Sequence, residues 1–387
     1  MYAFDAGRAL AAIHRSRFVR QPPVLLQLRP GVGTQRFVDR YRPTSRWKLL
    51  AFQALASVLP SSTEAAARLN MRNMFVVDAE SVQAMLDAAH EKSSGGSGSV
   101  ANESVPVAPP SPSPLLSGVE RRPGHCLDIG AGVGTTTVEL QRLFSEVSAT
   151  EVSSGCLRRL RQLDNPPLSR VMHAEEFPVS KPSAEPDEGI HVDSNGDGNL
   201  GSPSFDLVSL LNVLDRCGPH PLSLLKTALS SVRSSQGKVL VALAYPFDPF
   251  EAGKAGSSSS SESGGGSDEV LEMRRHLCPA VDFEDFLGRA VGLFARHGLR
   301  CDVAARVPYL CQADAPWAAV AKEIADAESS TDSPSDDDIG EQSATAFVRQ
   351  VPPSIEDPVE EARVWNEVST QFYVLDDAVF LLSCASE

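Results

Sequence analysis

The sequence contains no Cys-x-x-Cys pair, no apolar run long enough to cross a bilayer, and no surplus of positive charge. Each absence excludes a class of protein. Without paired spacing, the seven cysteines (Cys126, Cys156, Cys217, Cys278, Cys301, Cys311 and Cys384) read as buried free thiols of a reducing compartment, not as disulfides or zinc ligands. The eight histidines are scattered without metal-ligand spacing, so no metal is expected. A membrane-spanning helix needs about 20 consecutive apolar residues, so no transmembrane segment is expected. With 35 Lys and Arg against 50 Asp and Glu, the net charge of −15 argues against bulk nucleic-acid binding, because neutralising phosphates takes a basic face.

The charge is uneven. Residues 1–48 hold nine Arg and one Lys against two Asp, which leaves the remainder still more acidic. Residues 1–44 therefore read as a basic arm, open to three uses: a targeting segment, a membrane-surface contact or an exposed terminus. Asp5 and the lack of a clean apolar stretch weigh against a signal peptide. An intracellular location is expected, with cytoplasm, endoplasmic reticulum surface and mitochondrion all open.

Four stretches are too polar, or too rich in Ser, Gly and Pro, to bury enough apolar surface against chain entropy: 92–118, 178–204, 251–268 and 313–366. The first reads as a flexible linker and the others as insertions into a smaller fold. The run from Asp193 to Gly198 copies the start of a calcium-binding loop, but its twelfth position is Ser204 rather than Glu and no helices flank it, so it reads as part of a polar insertion.

The remaining sequence alternates. Strands are expected at 126–129, 146–151, 170–174, 205–212 and 238–244, and helices at 135–144, 155–163, 221–232 and 281–297. Two last strands, 304–310 and 371–382, follow without an intervening helix of the main type. This pattern predicts an α/β fold with a mostly parallel, doubly wound sheet. The last two strands form an antiparallel hairpin whose overgrown loop is 313–366. Residues 45–91, helical at 46–59 and 81–89, predict an N-terminal helical cap, and 119–387 the main domain. The arrangement is that of a class I, Rossmann-like methyltransferase.

Between the first strand of that domain and its helix lies Leu127-Asp128-Ile129-Gly130-Ala131-Gly132-Val133-Gly134. Glycines in a strand-to-helix turn let the backbone approach a ligand closely. A dinucleotide fingerprint needs Gly or Ala one place later, where Thr135 stands. The loop therefore points to S-adenosylmethionine, which has no pyrophosphate to seat on the helix. Asp128 at the strand end suits a cation-bearing ligand, and Glu151 at the end of the next strand suits ribose hydroxyls. The bland alternative is an ordinary glycine-rich turn.

A second cluster, Leu211-Asn212-Val213-Leu214-Asp215-Arg216-Cys217, closes the fourth strand. Together with the glycine loop, Ala149-Thr150-Glu151, Tyr245-Pro246-Phe247, Pro308-Tyr309-Leu310-Cys311 and Tyr373-Val374-Leu375-Asp376-Asp377-Ala378-Val379-Phe380, it resembles the DREV family of methyltransferase-like proteins, which modify protein histidine at the pros nitrogen. Ser45-Arg46-Trp47-Lys48 and Met74-Phe75-Val76 share the resemblance. It implies histidine methylation in His-x-His sequences of other proteins; this chain contains no such sequence itself. Carried over by motif, it implies that Asn212, Asp215, Tyr309 and Tyr373 line a histidine pocket. It places the cofactor on Asp128, Gly130, Gly132 and Glu151, with Glu176 toward the adenine. The loop departs from the family pattern at Val133, where an acidic residue is usual.

The residue types suit such chemistry. Imidazole, with a pKa near ~6.5, is mostly neutral and nucleophilic at pH 7. Methyl transfer then needs alignment and a choice between two ring nitrogens. A carboxylate accepting the tele N–H, for which Asp215 is the candidate, leaves the lone pair on the pros nitrogen. Asn212 could orient the ring or backbone, and the tyrosines could stack or hydrogen-bond. Against this, Asn212 and Asp215 could simply cap the helix that follows, and Tyr373 could be an edge-strand packing residue. Two other functions stay open: a methyltransferase for a small molecule or another side chain, and a non-catalytic interaction protein.

Overall fold

The apolar segments Arg122–Ile129, Phe144–Glu151, Leu207–Leu211 and Lys238–Tyr245 lie side by side as parallel strands, and they account for the core. The computed structural model describes residues 4–28, 31–94, 122–163, 167–176, 205–233, 236–249, 267–313 and 372–385. In chain order these residues form α1 (Ala6–His14), β1 (Val24–Gln27), α2 (Val32–Arg40), α3 (Arg46–Ala56), α4 (Ser62–Leu69), β2 (Met74–Phe75) and α5 (Ala79–Ser94). Next come β3 (Arg122–Ile129), α6 (Thr137–Leu143), β4 (Phe144–Glu151), α7 (Ser154–Leu160), β5 (Arg170–His173) and a short turn of helix at Ala174–Glu176. The rest is β6 (Leu207–Leu211), α8 (Pro221–Ser230), β7 (Lys238–Tyr245), α9 (Asp268–Leu277), α10 (Phe283–Arg296), β8 (Leu299–Gln312) and β9 (Phe372–Cys384).

The sheet runs β1-β8-β9-β7-β6-β3-β4-β5, with β2 paired antiparallel to β8. Strands β5 to β7 are parallel through β4, β3 and β6, whereas β9 is antiparallel to both β7 and β8. This is the expected mostly parallel sheet with its terminal hairpin. The central strands read as continuous apolar runs because helices cover both faces. One face packs Leu127, Ile129, Val208, Leu210, Val239 and Val241 against Phe286, Leu287 and Phe294 of α10 and Leu222 and Leu225 of α8. The other packs Cys126, Leu207, Leu240 and Ala242 against Val82 and Met85 of α5 and Leu140 and Leu143 of α6. Burying each large side chain of this kind contributes about 1.5–3 kcal/mol relative to exposure.

The described residues of 1–44, a segment expected as a basic arm, pack on this body. Strand β1 extends the sheet parallel to β8, with Val24 opposite Val303. Phe4, Ala9 and Ile13 are buried in the core under α10. The physical reason is the burial of these apolar side chains together with the ladder to β8; at the surface Arg8 pairs with Asp282, Arg15 with Asp285 at 3.0 Å and Arg36 with Glu139 at 2.9 Å, which adds little stability but matches the arm to the acidic main domain. Two further elements were not expected. Helix α4 is set by Ser61, whose hydroxyl accepts from the Glu64 N–H, and ends at Asn70 with a left-handed φ of 52°. Helix α9 is capped by Ser267, so the last two residues of the 251–268 stretch belong to it. Residues 92–94 likewise finish α5. The stretch 178–204, with its calcium-loop-like run, and all of 313–366 beyond Ala313 lie outside the described residues.

Candidate active site

At β3 the strand order reverses, with β4 on one side and β6 on the other, and the carboxyl ends of such strands form the crevice where open α/β sheets bind ligands. The glycine loop leaves β3 there. Gly130 and Ala131 donate their N–H groups to Thr150 O at 3.0 and 3.1 Å, which folds the loop back over the tip of β4. Gly130 has φ 71°, and a Cβ on it would sit 2.6 Å from Val213 in the turn after β6. Gly132 has φ 58° and would meet nothing within 4 Å, so it presents bare backbone to open space.

The two acidic residues of this half are tied down by the chain itself. Glu151 accepts from Gly132 N at 2.8 Å, Val152 N at 2.7 Å and Ser153 N at 3.0 Å. A carboxylate has about four acceptor positions, so capacity for one more donor such as a ribose hydroxyl remains. Asp128 accepts from the Thr137 hydroxyl at 2.6 Å and the Ser209 hydroxyl at 2.7 Å, and it is buried beneath the loop. Burial pushes its pKa up to about 6, against the opposing pull of those two hydroxyls. Through these bonds it braces α6 and β6 under the glycines. Glu176 closes the helical turn after β5, whose His173 stands opposite Glu151, so it shares that end of the sheet.

The N-terminal cap closes over this loop. The Thr135 hydroxyl donates to Met74 O, and Glu64 of α4 receives the Ser153 hydroxyl at 3.0 Å and the Gly155 N–H at the start of α7. Neither contact was legible beforehand: each joins segments more than sixty residues apart.

The second cluster is built differently. Asn212 leaves β6 in the left-handed region with φ 53°, its N–H donating to Ala242 O. Its side-chain Nδ2 donates to Asp377 Oδ2 at 2.7 Å. In the turn that follows, Arg216 Nε donates to Asp215 Oδ2 at 3.1 Å, and Nη2 reaches the Tyr309 hydroxyl at 3.3 Å. The Tyr309 hydroxyl in turn donates to the Met74 sulfur. Asn212, Asp215, Tyr309 and Asp377 are all buried. Tyr373 stands opposite Cys311 in the β8–β9 ladder; its side chain lies outside the described residues.

Three oxygens of this cluster, Asn212 Oδ1, Asp215 Oδ1 and Asp377 Oδ1, are buried with no hydrogen-bond partner among the described residues. A buried polar atom left unpaired costs about 1–3 kcal/mol, so Asn212 Oδ1 and Asp215 Oδ1 have capacity to accept from a donor beyond the described residues. Burial raises the Asp215 pKa, while Arg216 opposes the rise. Burial raises Asp377 well above the carboxylate range, Asn212 pulls it back and the Asp215 charge adds to the rise. The helix-capping alternative fails for Asn212 and Asp215, because α8 begins at Pro221 with His220 at its cap. Asp377 and Arg216 were overlooked as site residues, although both stand inside the strings quoted for the resemblance. Two adjacent carboxylates, Asp376 and Asp377, in an apolar strand were the available signal. One turns to Arg306, at 2.9 and 2.6 Å, and the other to Asn212.

Residues 195–319 match the family model described as DREV methyltransferase. That segment holds Asn212, Asp215, Arg216 and Tyr309 and stops short of Asp377. Among solved structures, the PH0226 protein of Pyrococcus horikoshii is 18% identical over 32% of this chain and 50% of its own, with a TM-score of 0.23. An S-adenosylmethionine-dependent methyltransferase of Clostridium acetobutylicum is 16% identical over 31% and 42%, with a TM-score of 0.21. The N-methyltransferase NodS of Bradyrhizobium japonicum, solved with S-adenosyl-L-homocysteine, is 16% identical over 31% and 52%, at 0.21. The chain thus spans about half the length of these relatives. Likeness at that level leaves the fold resting on the strand order. Among the described residues no helix is long and apolar enough to cross a membrane, and no three His, Cys, Asp or Glu side chains gather as a metal site.

Proposed function

We propose that the chain is a methyltransferase that transfers a methyl group from S-adenosylmethionine to the pros nitrogen of histidine in His-x-His sequences of other proteins. The observation that carries the reading is Asp215 Oδ1, a buried acceptor without a partner among the described residues, beside the carboxyl end of the sheet. The DREV match over the same segment supports it.

The groups at hand fit the cofactor. Gly132 offers backbone with open space above it, and Glu151 stands beside it with acceptor capacity left. When bound, S-adenosylmethionine supplies an electrophilic methyl group on a sulfonium. Gly130, Gly132 and Glu151 would hold it, with Asp128 bracing the loop from below and Glu176 nearby. Asp215 Oδ1 would accept the tele N–H of the substrate ring. That bond leaves the pros lone pair free to form the new N–C bond, and the carboxylate stabilises the positive charge the ring gains. Arg216 holds the other carboxylate oxygen and so fixes which one faces the substrate. Asn212, Tyr309 and Tyr373 complete the pocket in this reading, Tyr309 acting through Arg216.

The test is incubation of the full chain with S-adenosylmethionine and a His-x-His peptide, followed by mass spectrometry and chromatographic separation of the two methylhistidine isomers. Pros-methylhistidine alone is the expected product. No transfer to the peptide, or transfer to a different side chain, would overturn the substrate assignment.

A further inference from the structure

We infer that Asp377 is a positioning residue that decides which end of the Asn212 amide faces the substrate, an inference that rests on the transfer proposed above. A side-chain amide has a donor end and an acceptor end of nearly the same shape, and only its partners distinguish them. The Asn212 nitrogen is held by Asp377 Oδ2 at 2.7 Å. Its oxygen is thereby turned the other way, buried and without a partner among the described residues. The anchor is rigid. Asp377 lies in β9, opposite Ala244 of β7 and Val307 of β8, and is completely buried between two ladders. The Asn212 backbone is itself fixed, by its bond to Ala242 in the left-handed region, so the side chain springs from a set position.

The consequence is a pair of fixed acceptors, Asn212 Oδ1 and Asp215 Oδ1, that invites a substrate with two N–H donors. The target ring provides one. The second would come from a neighbouring group of the same peptide. With Asp377 replaced by an apolar residue, the Asn212 amide is free to present its NH2 end, which repels the donor it should receive.

The experiment compares wild type with D377L, D377N, N212A and the double variant D377L/N212A. Turnover of a His-x-His peptide, affinity for S-adenosylhomocysteine, melting curves and hydrogen exchange of the Asn212 side-chain amide are measured on each. The loss of one oriented hydrogen bond predicts a peptide KM about tenfold higher in D377L, with a smaller change in kcat. Cofactor affinity stays unchanged. D377N recovers much of the loss, because its carbonyl oxygen still accepts the Asn212 amide. On the N212A background D377L adds nothing. The Asn212 amide protons exchange slowly in wild type and fast in D377L. A full additional loss in the double variant, or unchanged amide exchange in D377L, overturns the inference. If D377L does not fold, D377A and its double variant with N212A, which also remove the acceptor, carry the same criterion. A wild type that leaves the peptide unmodified, yet shows amide protection that Asp377 controls, refutes the substrate reading and supports the positioning role.

Discussion

The two halves of the crevice treat their carboxylates in opposite ways. At the glycine loop, Asp128 and Glu151 accept five hydrogen bonds from the chain itself, two to Asp128 and three to Glu151. At the corner where β6 ends near Asp377 of β9, Asn212, Asp215 and Asp377 each keep a buried oxygen with no partner among the described residues. Satisfied groups hold a shape; unsatisfied ones wait for a donor. In the proposed reaction the loop serves as a preformed seat and the corner as the place where the substrate ring is held. Asp215→Asn breaks this contrast most sharply. It keeps the shape but removes the charge facing the ring, so turnover should fall by about 10²–10³-fold, the range for losing one group that stabilises developing charge. Cofactor affinity should change little, and some tele-methylhistidine should appear because the tautomer is no longer fixed. Isomer separation beside a melting curve checks this. Normal turnover by folded Asp215→Asn protein would remove Asp215 from the reaction.

The opposite result is expected on the other side. Glu151→Gln turns an amide NH2 toward backbone N–H groups that now donate to a carboxylate. Hydrogen bonds to a charged group contribute about 1.5–3 kcal/mol, so S-adenosylhomocysteine should bind roughly tenfold to a hundredfold more weakly and the melting temperature should drop as well. Calorimetry and a thermal scan test both together. Should Glu151→Gln melt normally and bind normally, the loop is not held by that carboxylate and the contrast collapses.

How far the sequence revealed this depends on the range of the interactions. Strands β6 and β7 are largely apolar and mostly buried, and β3 and β4 end in buried stretches, so their pattern is local and readable. Strand β1 is four residues long, set between Pro22-Pro23 and an arginine-rich region, and forms only because β8 lies beside it. Helix α4 is eight residues long, and it is held in place by Glu64 reaching α7, some ninety positions away. The same rule governs the site. Gly130, Gly132, Glu151, Asn212 and Asp215 could be placed because strand ends are visible in the pattern. Asp377 could not, since its partner is 165 residues distant. Asp128 was legible as a position, but its bond from Ser209 was not, because that hydroxyl comes from another strand.

A smaller effect separates burial from bonding at Asp128. Its folded-state pKa of about 6 lies above the ordinary value of 3.8. Between those values the folded chain holds a proton that the unfolded chain has released. The resulting stability is complete below about 3.8 and is lost as pH rises through about 6. The gap amounts to at most about 3 kcal/mol. Asp128→Asn removes the titration, so the stability difference between wild type and variant should drift against wild type across that window. A drift in the opposite direction would mean that the two hydroxyls outweigh burial.

The finest adjustment is at Arg216, whose Nε bond to Asp215 opposes the effect of burial on that carboxyl. The proposed reaction needs Asp215 ionised. Removing the guanidinium lets burial act unopposed and raises the Asp215 pKa further, so Arg216→Gln should move the acid limb of kcat/KM to higher pH. The alkaline plateau should change much less. Arg216→Lys keeps a positive charge near the carboxylate and should leave the limb close to its wild-type position, even though it loses the planar fork. The substrate imidazole titrates identically with every variant, and kcat/KM reports the free enzyme, so a shift between profiles belongs to the protein. The rival view makes Arg216 only a brace between Tyr309 and Met74. A brace lowers activity by the same factor at every pH, so parallel profiles for Arg216→Gln and wild type would decide for the brace.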